Sequence, residues 1–239
     1  MGNGGDNTPL ALFKALQRAF GETIRERRGR PDLVKELSVQ AFDRFDGNVA
    51  IQIEDMPALA CHQGCAACCD LRVAATAPEI LLIAQYIVAT RPAFFRIGVD
   101  LADRVARDAA TTSGLDDAQR LALRQPCPFI ENGLCLVYRA RPLACRGHAS
   151  FDKAACAEAV VDLDHEALVS MPHFLVRCVV QNAGLAWGLY ELNSALNLAL
   201  TNPDAEATWR AGGDPLASAS IAGADALETA ATFDAIKFG

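Results

Sequence analysis

Residues 61–69 read Cys-His-Gln-Gly-Cys-Ala-Ala-Cys-Cys, which places four thiols in one short segment: Cys61, Cys65, Cys68 and Cys69. Further cysteines follow at Cys127, Cys135, Cys145 and Cys156. Thiols at this density oxidise and cross-link unless something holds them, and thiolate is a soft ligand suited to zinc and to iron–sulfur clusters. The pattern therefore predicts a metal centre around which the neighbouring chain is organised.

The composition favours an all-α protein, described more fully as an irregular helical domain with a cysteine-rich, loop-containing metal-binding insert. The 239 residues are rich in Ala and Leu, and only 7% are aromatic. We divide the chain into N-terminal helices (1–56), the cysteine-cluster region (57–160) and C-terminal helices packing on the same domain (161–239). A net charge of −7 argues against a nucleic-acid partner.

The cellular compartment decides whether the cysteines are interpreted as disulfides or as metal ligands. The first residues carry no secretory pattern, and the longest apolar run, 80–89, is too short to span a bilayer. We therefore expect a cytoplasmic protein without a membrane partner. In a reducing compartment, clustered cysteines act as ligands or redox groups more often than as disulfides.

Apolar periodicity predicts most of the helices. Leu10 to Ile24 form the first, and Asp32 is placed to cap a second that stops near 46–48. Pro78 suits the first turn of a helix over 79–90, and Pro92 is expected to open another. A short helix follows over 116–123.

Regular periodicity is absent from residues 125–149, which contain several Pro and Gly residues and are expected to be irregular. Residues 171–200 read as one long apolar helix, weakened by Gly184 and Gly188. The tail, 212–239, is expected either to dock back as a helix or to be mobile.

The predicted metal ligands are eight cysteines: Cys61, Cys65, Cys68, Cys69, Cys127, Cys135, Cys145 and Cys156. Cys178 lies among valines, where core packing is the default. His62 and His148 lie beside cysteines and could ligate through imidazole, although such histidines more often support a site than bind its metal. Arg139, Arg141 and Arg146 would either offset thiolate charge or lie on the surface.

A family resemblance supports the metal centre. The run Cys-x3-Cys-x2-Cys-Cys, followed by Cys-Pro-Phe-Ile-x2-Gly-x-Cys-x-Val-Tyr-x2-Arg-Pro-x2-Cys-Arg, resembles the YkgJ-type cysteine-cluster family. Its members are described as zinc- or iron-chelating. The likeness runs from Cys61 to about Cys156 and implies that Tyr138, Arg141 and Arg146 lie at the cofactor. Flagellin lysine methylase resembles this family in its cysteine motif.

A second resemblance is weaker. The spacing Cys61-x3-Cys65-x2-Cys68 is also that of radical S-adenosylmethionine enzymes, which usually carry an aromatic residue where this chain has Ala67. Those enzymes use a βα barrel, and this sequence offers no βα alternation.

The metal and its role stay open at the level of sequence. The thiols outnumber the four ligands of one zinc ion, which favours an iron–sulfur cluster over zinc. The expected role is redox, sensing or storage. The alternatives are a cluster-dependent enzyme that modifies a protein or small molecule, with a pocket lined by Tyr138, His148 and the arginines, a zinc-stapled interaction module, and a metal carrier. The protein or small-molecule partner is unknown.

Overall fold

The computed structural model describes residues 9–158, 177, 179–180 and 183–221, with side chains from residue 14 onward except 52. Helices dominate this part of the chain: α1 (Pro9–Arg27), α2 (Leu33–Gln52), α3 (Ala77–Phe95), α4 (Leu101–Thr112), α5 (Asp117–Leu123), α6 (Leu143–Gly147), α7 (Lys153–Ala157), α8 (Leu192–Thr201) and α9 (Ala205–Arg210). Short 3₁₀ turns span Tyr138–Ala140 and Ala217–Ala219. The helix-rich prediction holds, with small sheets added to it.

Two small antiparallel sheets accompany the helices. Strand β1 (Ala74–Thr76) pairs with β4 (Leu189–Glu191), with Ala75 opposite Tyr190. Strands β2 (Ile130–Glu131) and β3 (Leu134–Cys135) form a hairpin. Each strand has only two or three residues, so alternation in the sequence was too brief to reveal it.

The helices share one hydrophobic core. Helix α1 packs on α2, α2 on α3, and α8 on both α3 and α4. The core takes residues from the first helices, the cysteine-rich region and the C-terminal segment, among them Phe20, Leu37, Ile83, Leu143 and Trp209. The irregular cysteine segment is therefore held against the helices by apolar packing as well as by hydrogen bonds.

Helix boundaries differ from the sequence prediction at two places. Helix α2 runs through 46–48 to Gln52, and Asp32 makes no side-chain capping bond there but pairs with Arg27 and Arg30 instead. Pro92 does not open a helix: it lies inside α3, and the next helix begins at Leu101. Pro92 has no N–H to donate to the helical carbonyl four residues before it. Because the end of α3 is exposed, with Phe95 54% accessible, water can donate to that carbonyl instead.

The prediction of one continuous helix over 171–200 is wrong, because the chain is interrupted between Gly184 and Glu191, although 192–200 is helical as part of α8. Gly184 adopts a left-handed backbone (φ 67°), and the amide of Leu185 donates to the carbonyl of Val180 at 3.0 Å. This arrangement ends helices. The chain then enters β4 before α8 begins. Most of the N-terminal part of that prediction, including Cys178, lies outside the described residues, as does most of the tail.

Within the described residues, no helix is long and apolar enough to cross a membrane.

Candidate metal centre

The first cysteine group lies in consecutive turns rather than in a helix. The amide of Cys65 donates to the carbonyl of His62 at 3.0 Å, and that of Cys69 donates to Ala66 at 3.1 Å. Gly64 allows the first turn because its φ is +96°, in the left-handed region that favours glycine. The chain thus makes two successive turns within the motif, which bring its four cysteines close together in space.

The second group is joined to the first through the backbone. The amide of Cys127 donates to the carbonyl of Cys69 at 2.6 Å. After Cys127 the β2–β3 hairpin reverses the chain at Asn132 and Gly133, both with positive φ, and pairs Cys135 with Ile130. An Asn-Gly pair between two short strands is a strong signal for such a hairpin, and the sequence analysis missed it.

Helix α6 carries Cys145, and a buried carboxylate fixes where it starts. Glu79, 2% exposed, accepts hydrogen bonds from the amide and hydroxyl of Thr76 through Oε2. Its Oε1 accepts from the amide of Leu143, the first residue of α6, at 2.7 Å. One carboxylate therefore ties the starts of α3 and α6 together. Sequence reasoning did not identify this residue, because a Glu in a first helical turn is ordinary.

Helix α7 brings the last cysteine to the group. Asp152 caps the helix by accepting from the amide of Ala154 at 2.8 Å, and Cys156 is 2% exposed. Just upstream, the amide of Ser150 donates to the sulfur of Cys61 at 3.4 Å. The amide of Ala60 donates to the carbonyl of Ser150 at 3.0 Å, so the segment after α6 is held beside the first cysteine group.

Three side chains converge closely enough to share one ion. The ligand atoms of Cys68, His148 and Cys156 all lie within 4.8 Å of one another. Nε2 of His148 lies 3.2 Å from the carbonyl oxygen of Cys156, so that bond is donated when Nε2 carries the proton. His148 follows Cys145 by three residues, a Cys-x2-His spacing that could have identified it as a ligand candidate.

The eight cysteines surround two adjoining cavities. An inner cavity of about 90 Å³ is lined by Cys65, Cys68, Cys69, Cys127, Cys135 and Cys145. An outer cavity of about 350 Å³ is lined by Cys61, Cys65, Cys68, Cys145, Cys156 and both nearby histidines, His62 and His148. Cys65, Cys68 and Cys145 thus lie in the wall between the two cavities. All eight predicted ligands are brought together.

Burial holds most of these thiols neutral in the absence of a cation. It raises the pKa of Cys127 to about 12 and the pKa of Cys145 well above its usual value, and it raises the pKa of Cys135 as well. Burial also raises the pKa of Cys156 to about 12. A bound metal displaces such protons, so metal binding here is coupled to proton release.

Cys68 differs from the other thiols. A hydrogen bond from Cys69, with the nearby charge of His148 and a hydrogen bond with Cys156, lowers the pKa of Cys68 to about 6 against the effect of burial. The same bond raises the pKa of Cys69. Cys68 is therefore the thiol in this group that most readily becomes a thiolate, the form that binds metals.

Positive charge borders the inner cavity. Arg120, 2% exposed, and Arg141 both line it. The charge of Arg120 lowers the pKa of Cys127, and that of Arg141 lowers the pKa of Cys135 and Cys145, in each case against the larger effect of burial. Nε of Arg141 is buried without a hydrogen-bond partner among the described residues. These cations fit a site that gains negative charge when several thiolates assemble.

The predicted cofactor residues occupy distinct positions. Tyr138 and Arg141 line both cavities, and the guanidinium of Arg141 stacks 4.0 Å from the centre of the Tyr138 ring. Arg146 lines the outer cavity, but its guanidinium is held by contacts with other protein groups. It donates to the carbonyls of Arg141 and Arg139, pairs with Asp46 and stacks on Phe42. Arg139 is exposed.

A buried polar network supports the inner cavity from α4 and α8. Asp108, 4% exposed, accepts from Asn193 at 2.7 Å and from Gln125 at 2.6 Å, and its carboxylate lies 3.9 Å from Arg120. Both Arg120 and Asn193 line the inner cavity. Nothing in the sequence pattern pointed to this network, because it joins side chains of α4, α5 and α8 that come together only in the fold.

Comparison with known proteins gives one match. No curated protein and no solved structure matches the chain. Residues 60–166 match the model of the CxxCxxCC family, which is described as "Putative zinc- or iron-chelating domain". The match includes the eight cysteines and His148, whose side chains surround the two cavities. Residues 60–166, somewhat less than half of the chain, are therefore similar to the CxxCxxCC family.

Proposed function

We propose that the protein is a redox protein whose inner cavity holds an iron–sulfur cluster on cysteine thiolates. The observation that carries this proposal is the number of thiols around one small space. Six cysteines line a cavity of about 90 Å³, whereas a single zinc ion takes four ligands. A cluster of several iron atoms accepts thiolates from several directions.

Cys69, Cys127, Cys135 and Cys145 are the proposed ligands of the cluster. They come from the first cysteine group, the start of the irregular segment, the hairpin and α6, and the Cys127–Cys69 backbone bond and the Glu79–Leu143 bond hold these elements in place. Cys65 lies in the wall between the cavities and could replace one of them. When bound, the cluster supplies one-electron transfer.

The chain's own residues favour electron uptake by such a centre. Arg120 and Arg141 place positive charge at the cavity, and a cation beside a redox centre stabilises the form that carries the extra electron. The outer cavity brings solvent and small molecules to within one layer of cysteines of the inner cavity. An external donor supplies the electron and an external acceptor removes it, so the cysteines themselves need not change.

A potentiometric titration tests the redox role. The full chain, purified without oxygen, is titrated with dithionite and then reoxidised while its visible absorption is recorded. We expect reversible bleaching that follows a one-electron curve. Absorption that does not respond to reductant, or that is lost irreversibly in the first cycle, would contradict a redox function.

A second function is supported by the outer cavity. The enzyme alternative requires a pocket beside the metal lined by Tyr138, His148 and the arginines, and the cavity of about 350 Å³ has this lining. In that case one metal position faces the cavity and accepts an external ligand. Cyanide would then alter the electron paramagnetic resonance spectrum of the reduced protein, whereas an iron–sulfur centre closed to the cavity would give an unchanged spectrum.

A further inference from the structure

The side chains around the outer cavity form a ligand set separate from the proposed cluster ligands. Cys68, His148 and Cys156 come from the turn after Cys65, the residue following α6, and α7. Their ligand atoms lie within 4.8 Å of one another, and all three residues line the outer cavity. None of the three is among the four cysteines assigned to the cluster.

The spacing of these atoms suits a single ion. Two sulfur ligands of one tetrahedral zinc ion lie about 3.8 Å apart, because each Zn–S bond is about 2.3 Å long and the bonds meet at about 109°. The ligand atoms lie at most 4.8 Å apart, so they need to approach one another by no more than about 1 Å to share one ion. Side-chain rotation alone can supply so small a change.

The surroundings of His148 also suit a metal ligand. Its Nε2 lies 3.2 Å from the carbonyl of Cys156, which can fix the proton on that nitrogen and leave the other nitrogen of the ring unprotonated. Ligating histidines usually donate their second ring N–H to a carbonyl or carboxylate in this way. Two cysteines and one histidine with a fourth position left over form a known type of zinc site.

We propose that Cys68, His148 and Cys156 bind one zinc ion in a second site at the wall of the outer cavity. The fourth position faces the cavity, where Cys61 also lies, its sulfur accepting a bond from the Ser150 amide at 3.4 Å. The protein would thus carry a buried polynuclear centre and a solvent-accessible zinc ion side by side. This assignment does not depend on which metal the inner cavity holds.

Metal analysis of four full-length proteins tests the proposal: the wild type and the His148→Ala, His148→Cys and His62→Ala variants. His62 is the matched control, because it lines the same cavity but lies outside the triad. After dialysis against zinc and then against a competing chelator, we expect one zinc ion in the wild type and in His62→Ala. We expect a loss of at least about tenfold in zinc affinity in His148→Ala, with zinc restored in His148→Cys.

Measuring iron and sulfide on the same samples distinguishes a failure of the zinc site from a failure of the proposed iron–sulfur cluster. We expect both to be unchanged in His148→Ala. Zinc retained in that variant, or no zinc bound by the wild type, would overturn the second site, and so would a simultaneous loss of zinc and iron. A wild type without iron and sulfide would refute the cluster but leave the zinc assignment standing if His148→Ala still lost one zinc ion.

Cobalt binding, followed by its absorption, gives an independent test of the site if the His148→Ala variant fails to fold. Cobalt bound to thiolate absorbs in the near ultraviolet, and zinc sites accept cobalt readily. We expect weaker thiolate absorption in Cys156→Ser than in the wild type, and unchanged absorption in His62→Ala. Equal absorption in the wild type and in Cys156→Ser would show that Cys156 is no ligand and would overturn the proposal.

Discussion

Three thiols of the inner cavity stay protonated until a cation binds. Burial keeps the pKa values of Cys127, Cys135 and Cys145 above their usual value, so that these groups stay protonated in the metal-free protein. Arg120 and Arg141 partly oppose this effect. A metal ion, with its own positive charge, would therefore displace these protons and stabilise the thiolates.

Removing one proposed cluster ligand tests this directly. We expect Cys127→Ser, and likewise Cys135→Ser, to lower the metal content and to destabilise the fold, since serine is a poor ligand for soft metals. Metal analysis and chemical denaturation measure both effects. Cys178→Ser makes the same chemical change at a position expected to pack in the core, and it should leave the metal in place. Full metal retention in both of the first two variants would refute the ligand assignment.

The charge of Arg141 should be visible in the reduction potential. Arg141→Gln removes a cation that lines the inner cavity. We expect the potential to fall by on the order of 50 mV, equivalent to about 1 kcal/mol for one electron. Arg139→Gln, two residues earlier and exposed, is the matched control and should change the potential little. Equal potentials for the two variants would mean that Arg141 does not act on the redox centre.

At the scale of elements, single polar side chains join the helices to the cysteine segment. Glu79 links α3 to α6, the helix of Cys145. We expect Glu79→Ala to destabilise the protein by about 3 kcal/mol and to lower its metal content, because buried donors lose a charged acceptor. Denaturation curves measure the change. Glu26→Ala, on the exposed side of α1, should cost less than about 0.5 kcal/mol. Equal losses of unfolding free energy in the two variants would show that the hydrogen bonds of Glu79 contribute little to stability.

Helix α4 offers a second matched pair. Asp108 is buried against Arg120, whereas Asp103 pairs with Arg107 on the exposed face of the same helix. We expect Asp108→Ala to cost about 3–5 kcal/mol, because Arg120 would keep a buried charge without compensation. Asp103→Ala should cost no more than about 1 kcal/mol. Thermal or denaturant unfolding of both variants checks the difference, and a small cost for Asp108→Ala would contradict the role of the network.

Sequence patterns predicted the elements whose signals are local. The α1 face from Leu16 to Ile24 and the short helix α5 are examples, since each depends on neighbours within a few residues. Other features depended on distant partners. Pro92 could stay within α3 only because the end of that helix is exposed, and β4 exists because β1 lies beside it. Pairings of this kind have no signature in a single segment.

The candidate site was predictable to a similar degree. All eight cysteines surround the cavities, as their spacing indicated, but their division between an inner and an outer space required the turns and the hairpin. His148 is not among the predicted ligands, although its ring lies with Cys68 and Cys156. Glu79, Arg120 and Asn193 reach the site only through tertiary packing.

At the scale of the whole molecule, a helical core carries an irregular segment that a metal can fix. The core extends through α1–α4 and α8, whereas 125–149 contains only short elements. We expect removal of the metals by a chelator to leave most of the helical circular dichroism signal and to speed tryptic cleavage after Arg139 and Arg146 by about tenfold, since ligation adds to the apolar contacts that hold this segment. An unchanged cleavage rate would show that the segment does not need the metal.

The most direct measurement for the central claim is composition combined with colour. The full chain is purified anaerobically, its visible spectrum is recorded, and iron, zinc and acid-labile sulfide are determined on the same sample. The account predicts a coloured protein that absorbs broadly at about 400 nm, with iron and sulfide in equal molar amounts. A colourless protein containing zinc but no iron or sulfide would contradict the iron–sulfur assignment and favour a zinc-stapled structural module.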